Sequence, residues 1–199
     1  MSIVTLVSGG LDSTLSAILI KEEGIKQYPL FINYGQLCKE TEWRTCREIF
    51  RKYNLPTPKL MDLCGFGKLI SSGLTDSRLR INEDAFLPAR NLLFLVVGAA
   101  YAYQTNSNTV AIGLLSEEFH LFPDQTNEFI KNAESLISLS IGIKIRVLTP
   151  LMKFSKEDVI KLARKRNIKG TYSCHLGVFP PCGKCVSCLE AENAIKKEA

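Results

Sequence analysis

The chain has 199 residues, of which 46% are hydrophobic and 23% charged, and it carries a formal net charge of +5. This length and balance are typical of one globular domain with at most a small appendage. No apolar run reaches the ~18 residues of a membrane span. The Lys and Arg residues are scattered and form no basic stripe, so we expect neither a membrane partner nor direct nucleic-acid binding.

The first residues, Met1 to Val7, lack the basic segment and the cleavage site of a secretion signal. We interpret them as the first core strand and expect a cytoplasmic protein. In that compartment the seven cysteines indicate metal binding or reactivity before disulfide bonds.

Short β-rich runs alternate along the chain with amphipathic stretches. The predicted strands are Ile3–Val7, Pro29–Asn33, Lys59–Leu63, Thr109–Gly113 and Lys144–Leu148. The predicted helices are Asp12–Glu23, Lys39–Tyr53, Asn91–Tyr103, Asn127–Ser138 and one that begins at Ser155 with a capping-box spacing to Asp158. This alternation predicts an α/β fold with a doubly wound, mostly parallel sheet.

Two stretches depart from this alternation. The segment Gly65–Leu87 is polar, irregular and too long for an ordinary connection, which predicts a functional loop. After Gly170, cysteine and proline replace helical periodicity. We therefore expect a main domain over residues 1–170 and a small cysteine module with a C-terminal helix over 171–199.

A glycine-rich turn follows the first strand. After Val7 the chain reads Ser8-Gly9-Gly10-Leu11-Asp12-Ser13-Thr14. Residues without a Cβ let the backbone curl around an anion, and the next helix adds its positive end. The hydroxyls of Ser8, Ser13 and Thr14 would add donors, and Asp12 is placed to cap the helix and to share a Mg²⁺ with phosphates.

This turn contains no Gly-Lys-Ser/Thr, so it is not a Walker loop. A plain Gly-Gly turn with a polar cap is the structural alternative. The full context of strand, turn and helix favours a phosphate site.

Four cysteines near the C-terminus have the spacing C-x₇-C-x₂-C-x₂-C. They are Cys174, Cys182, Cys185 and Cys188. This spacing predicts one tetrahedral, closed and therefore structural Zn²⁺ site, with an iron–sulfur cluster or redox thiols as alternatives. The other cysteines, Cys38, Cys46 and Cys64, are interpreted as small buried side chains, and His175 as an exposed one.

The motif Ser-Gly-Gly-x-Asp-Ser-Thr resembles the loop of N-type ATP pyrophosphatases. Together with the cysteine tail, the chain resembles the 7-cyano-7-deazaguanine synthase family along its whole length. Further matching segments are Asn33-Tyr34-Gly35-Gln36, Leu74-Thr75-Asp76, Leu87-Pro88-Ala89-Arg90-Asn91, Pro123-Asp124, Pro150-Leu151 and Tyr172-Ser173-Cys174.

The resemblance implies an ATP-dependent ligase. It would adenylate 7-carboxy-7-deazaguanine, form the amide with ammonia, and use a second ATP to leave the nitrile. ATP, Mg²⁺ and Zn²⁺ would be bound. Asp12, Arg90 and Lys156 are the predicted catalytic residues, with Arg90 as a fixed cation and Lys156 as a phosphate contact. It also implies a homodimer.

One segment departs from the family pattern. Where the family carries a polar run that ends in Cys-Arg, this chain has Glu118-Phe119-His120-Leu121-Phe122-Pro123-Asp124 followed by Gln125-Thr126. We predict that Glu118, Phe119, His120, Phe122 and Asp124 form the substrate loop, although the two Phe side chains could equally pack beneath it. Asn33 also stands where the family usually has Asp.

These departures leave other functions open. One is the same adenylating chemistry on another carboxylate, a small acid or a protein C-terminus. A second is a non-catalytic nucleotide-binding regulator. A third is a tRNA-thiolating relative, which would need a catalytic cysteine near the nucleotide.

Overall fold

A computed structural model describes residues 1–116 and 122–196 of the chain. Its centre is a five-stranded sheet in the order β3-β2-β1-β4-β5, in which every pairing is parallel. The strands are β1 Ser2–Val7, β2 Lys26–Asn33, β3 Lys59–Asp62, β4 Thr109–Ala111 and β5 Arg146–Leu148. The predicted doubly wound α/β fold is confirmed.

Parallel neighbours need a crossover connection, and helices lie between the strands along the chain. The helices are α1 Leu11–Glu22, α2 Lys39–Lys52, α3 Cys64–Leu69, α4 Arg90–Gln104, α5 Asn127–Ile141, α6 Lys156–Lys165 and α7 Val186–Lys196. The short α3 lies where an irregular loop was predicted. Within the described part of the chain, no helix is both long and apolar enough to cross a lipid bilayer.

Each face of the sheet is covered by helices, which explains the continuous apolar runs of the strands. On one face, buried residues of α4 and α5, such as Leu95 and Ile137, pack against Val4 and Leu30. On the other face, α1, α2 and α6 pack against Val7 and Phe31. Both cores end at the carboxyl edge of the sheet, where the polar turns begin.

The segment between α3 and α4 covers the cysteine tail. Its buried side chains, Leu74, Ile81 and Ala85, pack against Tyr172 and Cys185. A polar stretch that was predicted as a functional loop therefore contributes a small core of its own. Its few apolar residues find partners more than 85 positions away, which local periodicity cannot indicate.

Candidate functional site

A cleft of about 270 Å³ opens above the carboxyl ends of β1, β2 and β4. The chain winds from β1 to β3 on one side and to β5 on the other, so this is the point at which the strand order reverses. Open parallel sheets bind their ligands at such a point. The residues that line it include Val7, Ser8, Gly10, Leu11, Asp12, Ser13, Tyr34, Gln36, Glu42, Arg90, Asn91, Gln125, Ser173 and His175.

The glycine-rich turn is held by its own hydroxyls. The main-chain N–H of Ser8 donates to the Ser13 hydroxyl over 3.1 Å, and the N–H of Gly10 donates to the Ser8 hydroxyl over 3.2 Å. The Ser13 hydroxyl in turn donates to the Gly10 carbonyl over 3.2 Å. These bonds shape a concave turn at the start of α1.

Two predicted details of this turn are corrected. The N-cap of α1 is Gly10, without a side-chain cap, and Asp12 lies in the first turn of the helix. The Thr14 side chain is fully buried on the core side, so its hydroxyl does not line the cleft. Thr14 follows the helical period into the core, whereas Ser13 remains at the surface of the turn.

Gly9 is required by a close approach of backbones. Its φ is +84°, and an added Cβ would lie 2.7 Å from the main-chain nitrogen of Cys46. Any side chain here would collide with the backbone of α2. The turn and α2 are therefore packed directly against each other.

An ion pair links the turn to α6. The Lys156 Nζ lies 2.8 and 2.9 Å from the two carboxylate oxygens of Asp12. The predicted capping box is confirmed: Ser155 accepts from the Asp158 N–H, and Asp158 accepts from the Ser155 N–H. The cap fixes the first turn of α6, and with it the position of Lys156.

The tail adds a second carboxylate to this pair. Burial raises the pKa of Glu190 in α7, Lys156 opposes that rise, and Asp12 adds to it. Glu190 therefore lies near enough to the Asp12–Lys156 pair to feel both charges, although only Asp12 bonds to Lys156 among the described contacts. Carboxylate oxygens are the ligands that Mg²⁺ prefers in proteins.

Arg90 lies at another wall of the cleft. It is the first residue of α4, and its guanidinium lies 5.9 Å from the ring centroids of both Tyr34 and Phe94. Its Nε is buried, and so is the Nδ1 of His175; neither has a hydrogen-bond partner among the described residues. The cleft thus contains polar atoms that a ligand could pair.

The environment of His175 differs from the prediction of an exposed side chain. Burial first, and then the nearby Arg90, lower its pKa to about 4, so the imidazole is neutral. In the sequence, only its position next to Cys174 distinguishes this histidine. Its burial results from the path of the tail over the cleft.

Glu42 is a site residue that the sequence analysis missed. It projects from the first turn of α2 into the cleft, and its carboxylate accepts from Gln36 Nε2 over 3.2 Å. Burial raises its pKa to about 7, against the lowering effects of Gln36, Cys38 and Arg90. The sequence does not single out Glu42, because an acidic residue in the first turn of a helix is common: it interacts favourably with the helix dipole.

The predicted substrate loop is only partly described. Glu118, Phe119 and His120 lie outside the described residues. The Phe122 ring packs on Phe86 at 5.1 Å between centroids, and Asp124 accepts from the Asn91 N–H at the start of α4. Neither of these two side chains lines the cleft; Gln125, next along the chain, does.

The four tail cysteines form a cluster. The sulfur atoms of Cys174, Cys182, Cys185 and Cys188 all lie within 4.8 Å of one another. A tetrahedral ion with Zn–S bonds of about 2.3 Å would separate its sulfurs by about 3.8 Å. Cys182 and Cys188, at 4.0 Å, come close to that distance. The residues therefore fit one metal ion.

Main-chain donors favour the thiolate form of Cys174, whereas burial raises the pKa values of Cys185 and Cys188. Burial would raise the pKa of Cys174, but hydrogen bonds, led by the N–H of Cys182, outweigh burial and lower it to about 6. By contrast, burial raises the pKa of Cys46 to about 12. Cys38 and Cys46 are buried as predicted, whereas Cys64 is partly exposed.

The tail also contacts the glycine-rich turn. The Tyr172 N–H donates to the Gly9 carbonyl over 3.1 Å, and the Ser173 side chain packs against Gly10. On the far side, the Thr41 hydroxyl donates to the Gly177 carbonyl over 2.8 Å. The cysteine cluster therefore supports one wall of the cleft.

The sheet order and the glycine-rich turn at its switch point define a nucleotide-binding α/β protein of the ATP pyrophosphatase type. Two solved structures have this fold. A predicted subunit of tRNA methyltransferase from Methanocaldococcus jannaschii has a TM-score of 0.59 at 20% identity, covering 83% of this chain and 76% of that one. The NMN synthetase of Francisella tularensis has a TM-score of 0.55 at 16% identity, covering 90% and 68%.

The chain belongs to the family described as Queuosine biosynthesis protein QueC, whose model matches residues 2–199. A relative in Nautilia profundicola, named 7-cyano-7-deazaguanine synthase, is 31% identical over 197 residues, which cover 93% of this chain and 89% of the relative. The chain is thus a member of an enzyme family, as its resemblance predicted.

Proposed function

We propose that the protein is an ATP-dependent ligase that converts 7-carboxy-7-deazaguanine to 7-cyano-7-deazaguanine. Attack of the acid on the α-phosphate of ATP releases pyrophosphate and gives an acyl-adenylate, and ammonia displaces AMP to form the amide. A second ATP activates the amide oxygen, and loss of AMP leaves the nitrile. The observation that carries this proposal is a single cleft lined by both the glycine-rich turn and Arg90.

The chemistry needs charge stabilisation and positioning more than acid–base groups. In our proposal the N–H groups of Gly9, Leu11, Asp12 and Ser13 hold the phosphates, together with the hydroxyls of Ser8 and Ser13. Lys156 neutralises the leaving pyrophosphate, and Arg90 stabilises the charge that develops on the acyl oxygens. Mg²⁺, held by Asp12, would supply further charge neutralisation, with Asp12 exchanging its bond to Lys156 for the ion.

In this proposal the cysteine module, residues 171–199, has a structural role. The spacing of the four sulfurs supports a single Zn²⁺ over a four-iron cluster, in which the iron atoms hold the cysteine sulfurs further apart. A site with four thiolates has no open coordination position. The ion would therefore brace the wall of the cleft and take no part in the reaction.

The test is incubation of the purified protein with ATP, Mg²⁺, ammonia and 7-carboxy-7-deazaguanine. We expect a product with the mass of the nitrile, an amide intermediate at early times, and AMP. The matched control omits only the acid. An unchanged acid together with AMP formed from another acid would contradict the named substrate.

The departures in residues 115–126 favour one second candidate, the same adenylation on a different carboxylate. Phe122 and Asp124 serve packing and capping, and the Asn33 side chain donates to Asp62 over 2.9 Å. ATP–pyrophosphate exchange with a panel of acids separates the candidates. Exchange with none of them would favour a nucleotide-binding regulator.

A further inference from the structure

The carboxylate of Glu42 forms no direct ion pair among the described residues, and Arg90 attracts it only from beyond salt-bridge distance. Its partners are two neutral groups, the Gln36 amide and the Cys38 thiol. Gln36 cannot turn away, because its Oε1 accepts from the Tyr34 N–H and its Nε2 also donates to the Ile32 carbonyl. A fixed and half-buried acceptor thus faces the cleft.

A stabilising role in α2 does not explain this burial. An acidic residue in the first turn favours a helix, but exposed Glu40 already provides one there. Glu42 is instead turned inwards, where burial opposes its charge. The free-energy cost of desolvating this carboxylate must be offset by another interaction of the side chain.

The position of Glu42 also conflicts with the charges of the expected ligands. The same cleft is proposed to hold phosphates and a carboxylate, which a second carboxylate would repel. The conflict disappears if the ligand presents N–H donors towards Glu42 and its acid group towards Arg90. A ligand of this kind has N–H donors and an acid group at separate positions.

We propose that Glu42 is a specificity-determining residue that accepts hydrogen bonds from the N–H donor edge of the substrate's ring. The inference rests on the proposed function, because that donor edge is the 2-amino and ring N–H pair of 7-carboxy-7-deazaguanine. Two adjacent N–H donors match the two oxygens of one carboxylate. The acid group at the other end of the ring then points towards Arg90 and the nucleotide.

The experiment compares Glu42→Gln with wild type on two substrates, 7-carboxy-7-deazaguanine and the analogue that lacks only its 2-amino group. Sites built on buried hydrogen bonds strongly reject ligands that cannot make them. We expect wild type to prefer the amino-bearing acid by about 100-fold or more in kcat/KM, and the variant to lose most of that preference. Glu40→Gln, in the same turn but exposed, is the matched control and should keep it.

Titration calorimetry with ATP distinguishes a loss of substrate recognition from misfolding of the variant. The Glu42→Gln variant should bind ATP within about threefold of wild type, since the substitution leaves the phosphate turn untouched. Equal losses on both substrates, or an unchanged preference, would overturn the role of Glu42. Weakened ATP binding together with equal losses would assign the residue to the framework of the site instead.

The proposed reaction can fail separately from this inference. If wild type binds the deazaguanine acid without converting it, only the reaction is overturned, and the same comparison is made on the two dissociation constants. If wild type binds neither ring, both proposals are overturned.

Discussion

Lys156 is a cation in the first turn of a helix, where the macrodipole is unfavourable to it. Its bonds to Asp12 compensate for that position, and only 15% of its side chain is exposed. The capping box at Ser155 fixes the turn from which it projects. An ammonium group held this firmly beside a glycine-rich turn is suited to a phosphate ligand.

We therefore expect Lys156→Ala to lower kcat about 100-fold, because the leaving pyrophosphate loses a fixed positive charge. The free energy of unfolding should fall by only about 1 kcal/mol, the value of one partly exposed ion pair. Steady-state kinetics and chemical denaturation measure the two effects. Lys161→Ala, at an exposed position of the same helix, should change neither, and a similar loss of activity there would contradict the assigned role.

Because the pKa of Glu42 is raised, the free energy of unfolding should depend on pH. The Glu42 pKa of about 7 in the folded protein exceeds the ordinary value of 4.5, so the folded state binds the extra proton between these pH values. The contribution of Glu42 to the free energy of unfolding is fully present below about pH 4.5 and is lost as the pH rises through about 7. Glu42→Gln carries no such charge, so by pH 8 it should be roughly 2–3 kcal/mol more stable than wild type.

The measurement is the difference in unfolding free energy between the two proteins from pH 4.5 to 8. The charged group facing Glu42 from α4 is Arg90, which stays cationic throughout. Burial raises the pKa values of Tyr34, Cys38 and Cys46, so they stay neutral in this range. A difference that does not change with pH would show that Glu42 is not desolvated.

At the scale of elements, the phosphate turn works as a rigid junction between β1, α1 and α2. Gly9→Ala should cost about 3 kcal/mol or more and abolish ATP binding, because the new Cβ meets the backbone of α2. Gly142→Ala is the matched control, since its φ is +79° but nothing lies within 4 Å of the added Cβ. This control should lower the free energy of unfolding by about 1 kcal/mol, the backbone strain of a left-handed alanine alone. Equal costs in thermal or chemical unfolding would contradict the packing argument.

Elements of this fold were predictable where a local pattern is sufficient. The apolar strands, the capping box of α6 and the spacing of the four cysteines each follow from neighbours in sequence. Glu42 and His175 could not be found in this way, because their burial depends on where α2 and the tail cross the cleft. The same reason applies to Leu74 and Ile81, whose partners lie in the tail.

Beyond the single chain, α4 and α5 present apolar side chains that stay largely exposed among the described residues. Leu136 is 59% and Leu139 is 80% exposed on α5, and Val96 is 47% exposed on α4. We propose this surface as the interface of the homodimer that the family resemblance implied. The double substitution Leu136→Glu with Leu139→Glu should convert dimer to monomer in light scattering, whereas Leu69→Glu, at an equally exposed site elsewhere, should not. A wild-type monomer would refute the interface.

The cysteine cluster is coupled through the tail to the glycine-rich turn. Cys185 is fully buried, and its cluster anchors the segment in which Tyr172 donates to Gly9. Cys185→Ser should abolish binding of one equivalent of zinc, measured by elemental analysis. It should also weaken ATP binding about tenfold, because a loosened tail no longer holds the turn in place. Cys64→Ser, which removes a thiol outside the cluster, should leave both unchanged. Loss of zinc with unaltered ATP affinity would show that the tail folds against the turn without the metal.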